Sequence, residues 1–222
     1  MTQRRTGKIQ RRKPSRDPKV RFTLFCEGKN TEPKYFSAIQ KVFTDTLISI
    51  ESHPGAGVPI TIAQKALKFA ESKGLIKSNR RPRNSFEKQD EVWAVFDRDE
   101  HEKYEEAVRL CENNGIGVAR SNPCFEVWLI LHEEDYDRPD DRHQVQETLQ
   151  QLRPEYNKTG AKIPNYAEMV CRVHDAEKRA QDQLRRREQE WQPYGRPSTT
   201  VGTLTKAIRD ANKRVRENGK RS

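Results

Sequence analysis

The chain alternates short apolar runs with longer stretches whose apolar residues recur every three or four positions. VRFTLFC, residues 20–26, predicts a strand. A turn at Glu27-Gly28-Lys29-Asn30 follows, then a helix with Thr31 as N-cap, Pro33 in its first turn and Phe36, Ile39, Gln40 and Phe43 along one side. TLISIES reads as a second strand, PGAGVP as a break, and ITIAQKALKFAES as a helix with Ile62, Ala66, Leu67 and Ala70 on one face. The run Val92-Trp93-Ala94-Val95-Phe96 inside DEVWAVFDRDEH predicts a buried third strand. EHEKYEEAVRLCENN is helical with Gly115 as its stop, GIGVAR is a short strand, and NPCFEVWLILHE is a short apolar helix entered through Asn122-Pro123. Regular alternation from 20 to 133 implies an α/β fold: a mostly parallel sheet flanked by helices.

Beyond Glu133 the strands stop. DDRHQVQETLQQL predicts a helix, and YAEMVCRVHDAEKRAQDQLRRREQEW predicts one long helix with a narrow stripe at Met169, Val173, Ala176, Ala180 and Leu184. The expected organisation is a basic arm over 1–19, an α/β core over 20–133, a helical appendage packed on it over 134–205, and a basic tail over 206–222. A hydrophobic content of 32% and a mean hydropathy of -1.07 allow one core rather than two.

Charge changes the picture. The net charge is +10, and it belongs to the ends. Residues 1–19 carry eight Lys/Arg, Arg11, Arg12 and Lys13 among them, against Asp17; residues 203–222 carry seven against Asp210 and Glu217. The stretch between is mildly acidic. Basic arms on such a body suit a polyanion, RNA or DNA, although solubilising tails have the same composition. Membrane spanning is excluded by the lack of a long apolar run, and a cytosolic location is expected. Cys26, Cys111, Cys124 and Cys171 have no zinc-ligand spacing and read as reduced, small buried residues.

The third strand ends in Asp97, Asp99 and Glu100. Like charges packed together need solvent, a shared proton or a cation. Glu27 follows the first strand and Glu126 begins the helix after the fourth, so the assumed topology gathers four acids at the carboxyl ends of the strands. All-oxygen ligands suit Mg²⁺ or Mn²⁺. Each acid also has a plainer role, as a turn acid, a helix cap or a solvated first-turn residue.

FCEGKNTEPKYF, FDRDEH, SNPCFEVWLILH and RPSTTVGTL together resemble the RloB-like family of Toprim proteins found in bacterial defence loci. Glu27-Gly28 followed by Asp97-Arg98-Asp99 is similar to the Toprim signature of primases, topoisomerases and OLD-type nucleases. The resemblance implies a Rossmann-like Toprim core and Mg²⁺-dependent nuclease chemistry on RNA, including tRNA, or DNA. It also implies a role in anti-phage defence by abortive infection and, for some members, a partner ATPase. It makes Glu27, Asp97, Asp99 and Glu126 the metal-site acids, holding two ions, with Glu27 alternatively a general acid or base. Lys158 would stabilise transition-state charge, a solvated lysine being as good a reading, and Lys29 would touch phosphate, although exposed lysines are more often simply solvated. His101 and His132 border the acids and either position substrate or hydrogen-bond structurally. Ser198, Thr199 and Thr200 either start the last helix with groups aimed at phosphate or serve as an ordinary cap.

Two other classes account for part of the pattern. A haloacid-dehalogenase-type phosphatase has an Asp-x-Asp after a strand, but His101 stands where that motif wants Thr or Val. An EF-hand-like loop fails at Glu102 and Val108, and a topoisomerase or primase needs more domains. A non-catalytic nucleic-acid-binding adaptor on the same fold, working with an ATPase, is the remaining alternative.

Overall fold

The computed structural model describes residues 20–43, 48–76, 90–98, 101–156 and 164–219. In chain order its elements are β1 (Val20–Cys26), α1 (Thr31–Phe43), β2 (Ile48–His53), α2 (Pro59–Lys73), β3 (Glu91–Asp97), α3 (Tyr104–Asn113), β4 (Gly117–Asn122), α4 (Glu126–Ile130), α5 (Arg142–Leu152), α6 (Tyr166–Val170), α7 (Val173–Gln189), β5 (Ser198–Thr199) and α8 (Val201–Gly219). One sheet runs in the order β2-β1-β3-β4-β5; the first four strands are parallel and β5 pairs antiparallel with β4. The predicted mostly parallel, helix-flanked α/β architecture is therefore correct.

Alternation along the strands builds two cores. Phe22, Leu24, Cys26, Trp93 and Val95 join a cluster with Tyr35, Phe36 and Ile39 of α1, with α4, and with Leu204, Ile208, Ala211 and Val215 of α8. Phe25, Val92, Ala94 and Phe96 meet Ile62, Ala63 and Ala66 of α2 and Ala107, Val108 and Cys111 of α3 on the other face. Both faces are covered, which is why β1 and β3 read as nearly unbroken apolar runs. Each large aliphatic or aromatic side chain buried this way contributes about 1.5–3 kcal/mol. Gly117 lies beside Trp93 in register, and a Cβ there would collide with the indole.

The crossovers fix where a ligand can enter. From β1 the chain goes through α1 on one face to β2; from β3 it goes through α3 on the other face to β4. Between β1 and β3 the winding thus reverses, and the crevice at the carboxyl end of such a switch point is open.

The C-terminal half departs from expectation. The long helix over 166–191 is broken at Cys171–Arg172 into α6 and α7. Ser198–Thr199 form a strand rather than a helix start, and α8 continues through the segment expected to be a basic tail. Five of its apolar side chains, Val201, Leu204, Ile208, Ala211 and Val215, are buried. The segment from 134 onward supplies the fifth strand and a large part of one core, so it is integral to the fold.

A carboxylate cluster at the switch point

Glu27 and Asp97 end the two strands that flank the switch point, and they are bonded together. The Glu27 N–H donates to the Val95 carbonyl (3.0 Å), and its Oε2 accepts the Asp97 N–H (3.0 Å). A third acid enters from α1. Glu32 is buried, and its Oε1 accepts the Gly28 N–H at 2.9 Å. Gly28 is glycine for a steric reason: a Cβ there would fall on the Glu32 carboxylate. The fourth acid, Glu126, opens α4; it is buried and accepts a 2.7 Å hydrogen bond from the Tyr156 hydroxyl.

These acids feel one another. Burial first, then the charges of Glu32 and Glu126, raise the Asp97 carboxyl well above the usual carboxylate range; Arg142 opposes the rise and Glu27 adds to it. Glu32 is raised by burial and, more weakly, by Glu126 and Glu27, while hydrogen bonds from backbone N–H groups, Gly28 among them, hold it down. Burial, reinforced by Glu32, pushes the Cys26 thiol up; Cys124 rises through burial, Glu126 and Asp97. Neither thiol is therefore a nucleophile at neutral pH. Among the described residues, the cation that pairs with Asp97 is Arg142, 3.2 Å from Oδ2. It is delivered by the first residue of α5, whose start is fixed by a reciprocal capping box between Asp141 and Gln144.

Sequence reasoning missed Glu32, Arg142 and Tyr156. The first was legible as an acid five residues after Glu27, but acids in a first helical turn are common. The other two come from a segment distant in the chain and carry no spacing signal.

Asp99, Lys158, Arg11, Arg12 and Lys13 lie outside the described residues. Lys29 is exposed on the loop after β1, its side chain lying against Gly55. His101, half-buried, precedes α3 and accepts the Tyr104 N–H through its carbonyl.

His132 is not a substrate ligand. It is buried, with Nδ1 2.9 Å from the Trp128 carbonyl and Nε2 3.0 Å from the Tyr35 hydroxyl. A carbonyl only accepts, so Nδ1 carries the proton and Nε2 accepts from Tyr35. Burial lowers its pKa to about 4, which keeps this neutral tautomer.

Thr199 and Thr200 spend their hydroxyls on the fold, and Ser198 lies buried beside them. Ser198 pairs with Asn122 in the β4–β5 ladder and is buried. Thr199 Oγ1 lies 2.9 Å from Ser121 Oγ and accepts the Val201 N–H, while Thr200 Oγ1 accepts the Arg120 N–H and donates to the Val118 carbonyl. They pin β5 to β4 instead of facing phosphate.

The cluster suits a hard divalent cation in one respect, its donor set. The acids are all carboxylates, and two of them are raised by burial together with negative neighbours, the signature of a site short of positive charge. Among the described residues, no three His, Cys, Asp or Glu side chains close around a single metal position. Each carboxylate instead points at its own donor.

A parallel α/β protein with buried acids at its switch point is a recognisable class, with the ligand crevice at the carboxyl ends of the strands. Within it, the family model of RloB-like proteins matches residues 22–208, and the chain belongs to that family. No curated protein and no solved structure matches it. Among the described residues no helix is long and apolar enough to cross a membrane.

Proposed function

We propose that this RloB-like protein is a Mg²⁺- or Mn²⁺-dependent nuclease of Toprim type that hydrolyses phosphodiester bonds of RNA or DNA, acting in anti-phage defence. The observation that carries the proposal is the gathering of Asp97, Glu27, Glu32 and Glu126 at the switch point, close enough that Glu32, Glu126 and Glu27 raise the Asp97 carboxyl. An acid cluster with, among the described residues, Arg142 as the cation paired to Asp97 invites a divalent ion, and Glu27, Asp97 and Glu126, with Asp99, are the residues that would hold it. The bound ion supplies an acidified water and charge stabilisation at phosphate.

The protein's own side chains do the rest. Glu32 fixes the loop that carries Glu27 through the Gly28 N–H, and Tyr156 orients Glu126. Glu27, held by its hydrogen bond to the backbone of Asp97, is the residue placed for proton transfer. Arg142 holds Asp97 in place and presents a guanidinium fork of the kind that recognises phosphate.

A second reading, a nucleic-acid-binding adaptor without cleavage that works with an ATPase, takes its support from the same arginine, which supplies the site with a positive charge of its own. Incubation of wild type and Asp97→Asn with pooled tRNA, mRNA and plasmid DNA, with and without Mn²⁺, separates the two. The nuclease reading expects metal-dependent cleavage of one pool by wild type and none by the variant. Binding without cleavage by either protein overturns it in favour of the adaptor.

A further inference from the structure

The segment after α7 breaks a rule of backbone chemistry twice. Trp191 follows the helix at φ 59°, with its N–H on the Glu188 carbonyl (3.1 Å) and the Gln192 N–H on the Arg187 carbonyl (2.9 Å). This is the Schellman pattern, whose left-handed position is normally glycine. Three residues on, Gly195 N–H bonds the Gln192 carbonyl (2.7 Å), closing a turn with Pro193 second and Tyr194, φ 62°, third. Its third position again favours glycine. Bulky residues at positive φ are outliers, and strain of this kind persists where function requires it.

Folding gains nothing visible from Trp191, because its side chain is 91% exposed. Tyr194 is also exposed, at 38%, and the Arg120 guanidinium lies 3.3 Å from its ring centroid. The turn is firmly seated: Arg98 Nη1 and Asn122 Nδ2 both donate to the Tyr194 carbonyl, and Arg187 Nη1 donates to the Arg196 carbonyl. Arg98 is the residue after Asp97, and Asn122 ends β4, so the seat is at the rim of the acid cluster. Glu190 beside Trp191 is ion-paired with Arg187.

We propose that Trp191 and Tyr194 form a stacking platform for unpaired bases of a single-stranded nucleic acid, with Arg120 buried behind the Tyr194 ring and the phosphates drawn by Arg98 and the chain's net positive charge. The proposal rests on the nucleic-acid reading above and names the substrate class as single-stranded. Exposed aromatic faces interleaved with arginine are the chemistry that holds a single strand without sequence preference. A duplex hides its base faces and gains nothing from the platform.

The test uses the intrinsic fluorescence of the full chain, because Trp93 and Trp128 are buried and Trp191 is exposed. Labelled U20 and dT20 oligonucleotides, and a duplex of equal length, are titrated at fixed salt in EDTA into wild type, Trp191→Gly and Trp191→Phe. The single strands are expected to quench the exposed tryptophan of wild type. Trp191→Gly should bind them roughly 5- to 150-fold more weakly, Trp191→Phe should recover most of the loss, and duplex affinity should stay unchanged. Relieved of its strain, Trp191→Gly should also melt about 2–4 °C higher. Wild-type affinity for single strands in Trp191→Gly overturns the platform and assigns this surface to a protein partner. Failure of every oligonucleotide to bind overturns both this proposal and the reading it rests on. Binding as expected, with no cleavage once Mn²⁺ is added, leaves the platform standing and removes the nuclease alone.

Discussion

Asp97 and Glu133 are equally enclosed, each with a side chain 13% exposed, yet they live in opposite electrostatic surroundings. Glu133 is clasped by two arginines, Arg153 on Oε1 and Arg172 on Oε2, each at 2.7 Å. Arg153 also reaches Glu168 at 3.1 Å, so α4, α5 and α6 are tied together by a balanced network. Among the described residues Asp97 is paired with Arg142, and it is raised by burial, Glu32, Glu126 and Glu27. At equal burial, then, the charge balance separates a structural carboxylate from the one that the proposed function assigns to metal.

Breaking each side of this comparison gives different readouts. The largest effect falls on activity: Asp97→Asn should lower cleavage by about a thousandfold, roughly 4 kcal/mol of transition-state stabilisation, while remaining folded by circular dichroism. Glu133→Ala strands two arginines, one of them only 11% exposed, and should cost about 3 kcal/mol in denaturant unfolding. Gly28→Ala forces the Glu32 carboxylate aside and should cost about 1–3 kcal/mol, together with the position of Glu27. Glu32→Gln keeps an acceptor for the Gly28 N–H and removes one negative charge, so at neutral pH its stability should equal or exceed that of wild type.

The smallest effect is a pH slope. Because the folded-state pKa of Asp97 is raised, the folded protein keeps a proton that the unfolded chain releases near pH 4. Stability from this group therefore falls as pH rises above about 4. His132 acts in the reverse sense, since its pKa is lowered to about 4 and stability falls as pH drops from about 6.5 toward 4. The difference between the melting temperatures of Asp97→Asn and wild type cancels the histidine contribution. That difference should grow in favour of the variant from pH 4 to pH 8; a constant difference would show that Asp97 is not raised.

The sequence made some of this legible for identifiable reasons. Strands buried on both faces announce themselves as apolar runs, and Glu27 and Asp97 stand directly at their ends. Glu32 hid because what marks it is a missing Cβ at Gly28, visible only in three dimensions. Arg142 and Tyr156 hid because sequence separation says nothing of approach across a fold. Met169, Val173, Ala176 and Ala180 keep a helical rhythm straight through the break at Cys171, so one helix was expected where two exist. Two-residue β5 is too short for a period of two to register. In α8, five basic residues mask the apolar spacing of Leu204, Ile208, Ala211 and Val215.

The most direct test of the site is calorimetric titration of Mn²⁺ into wild type, Asp97→Asn and Glu133→Gln at pH 7.5. The account predicts saturable binding to wild type, none to Asp97→Asn, and wild-type binding to Glu133→Gln if that variant folds, with Glu168→Gln, on the exposed edge of the same network, as the control if it does not. Absence of Mn²⁺ binding to wild type, or equal binding to Asp97→Asn, would contradict it.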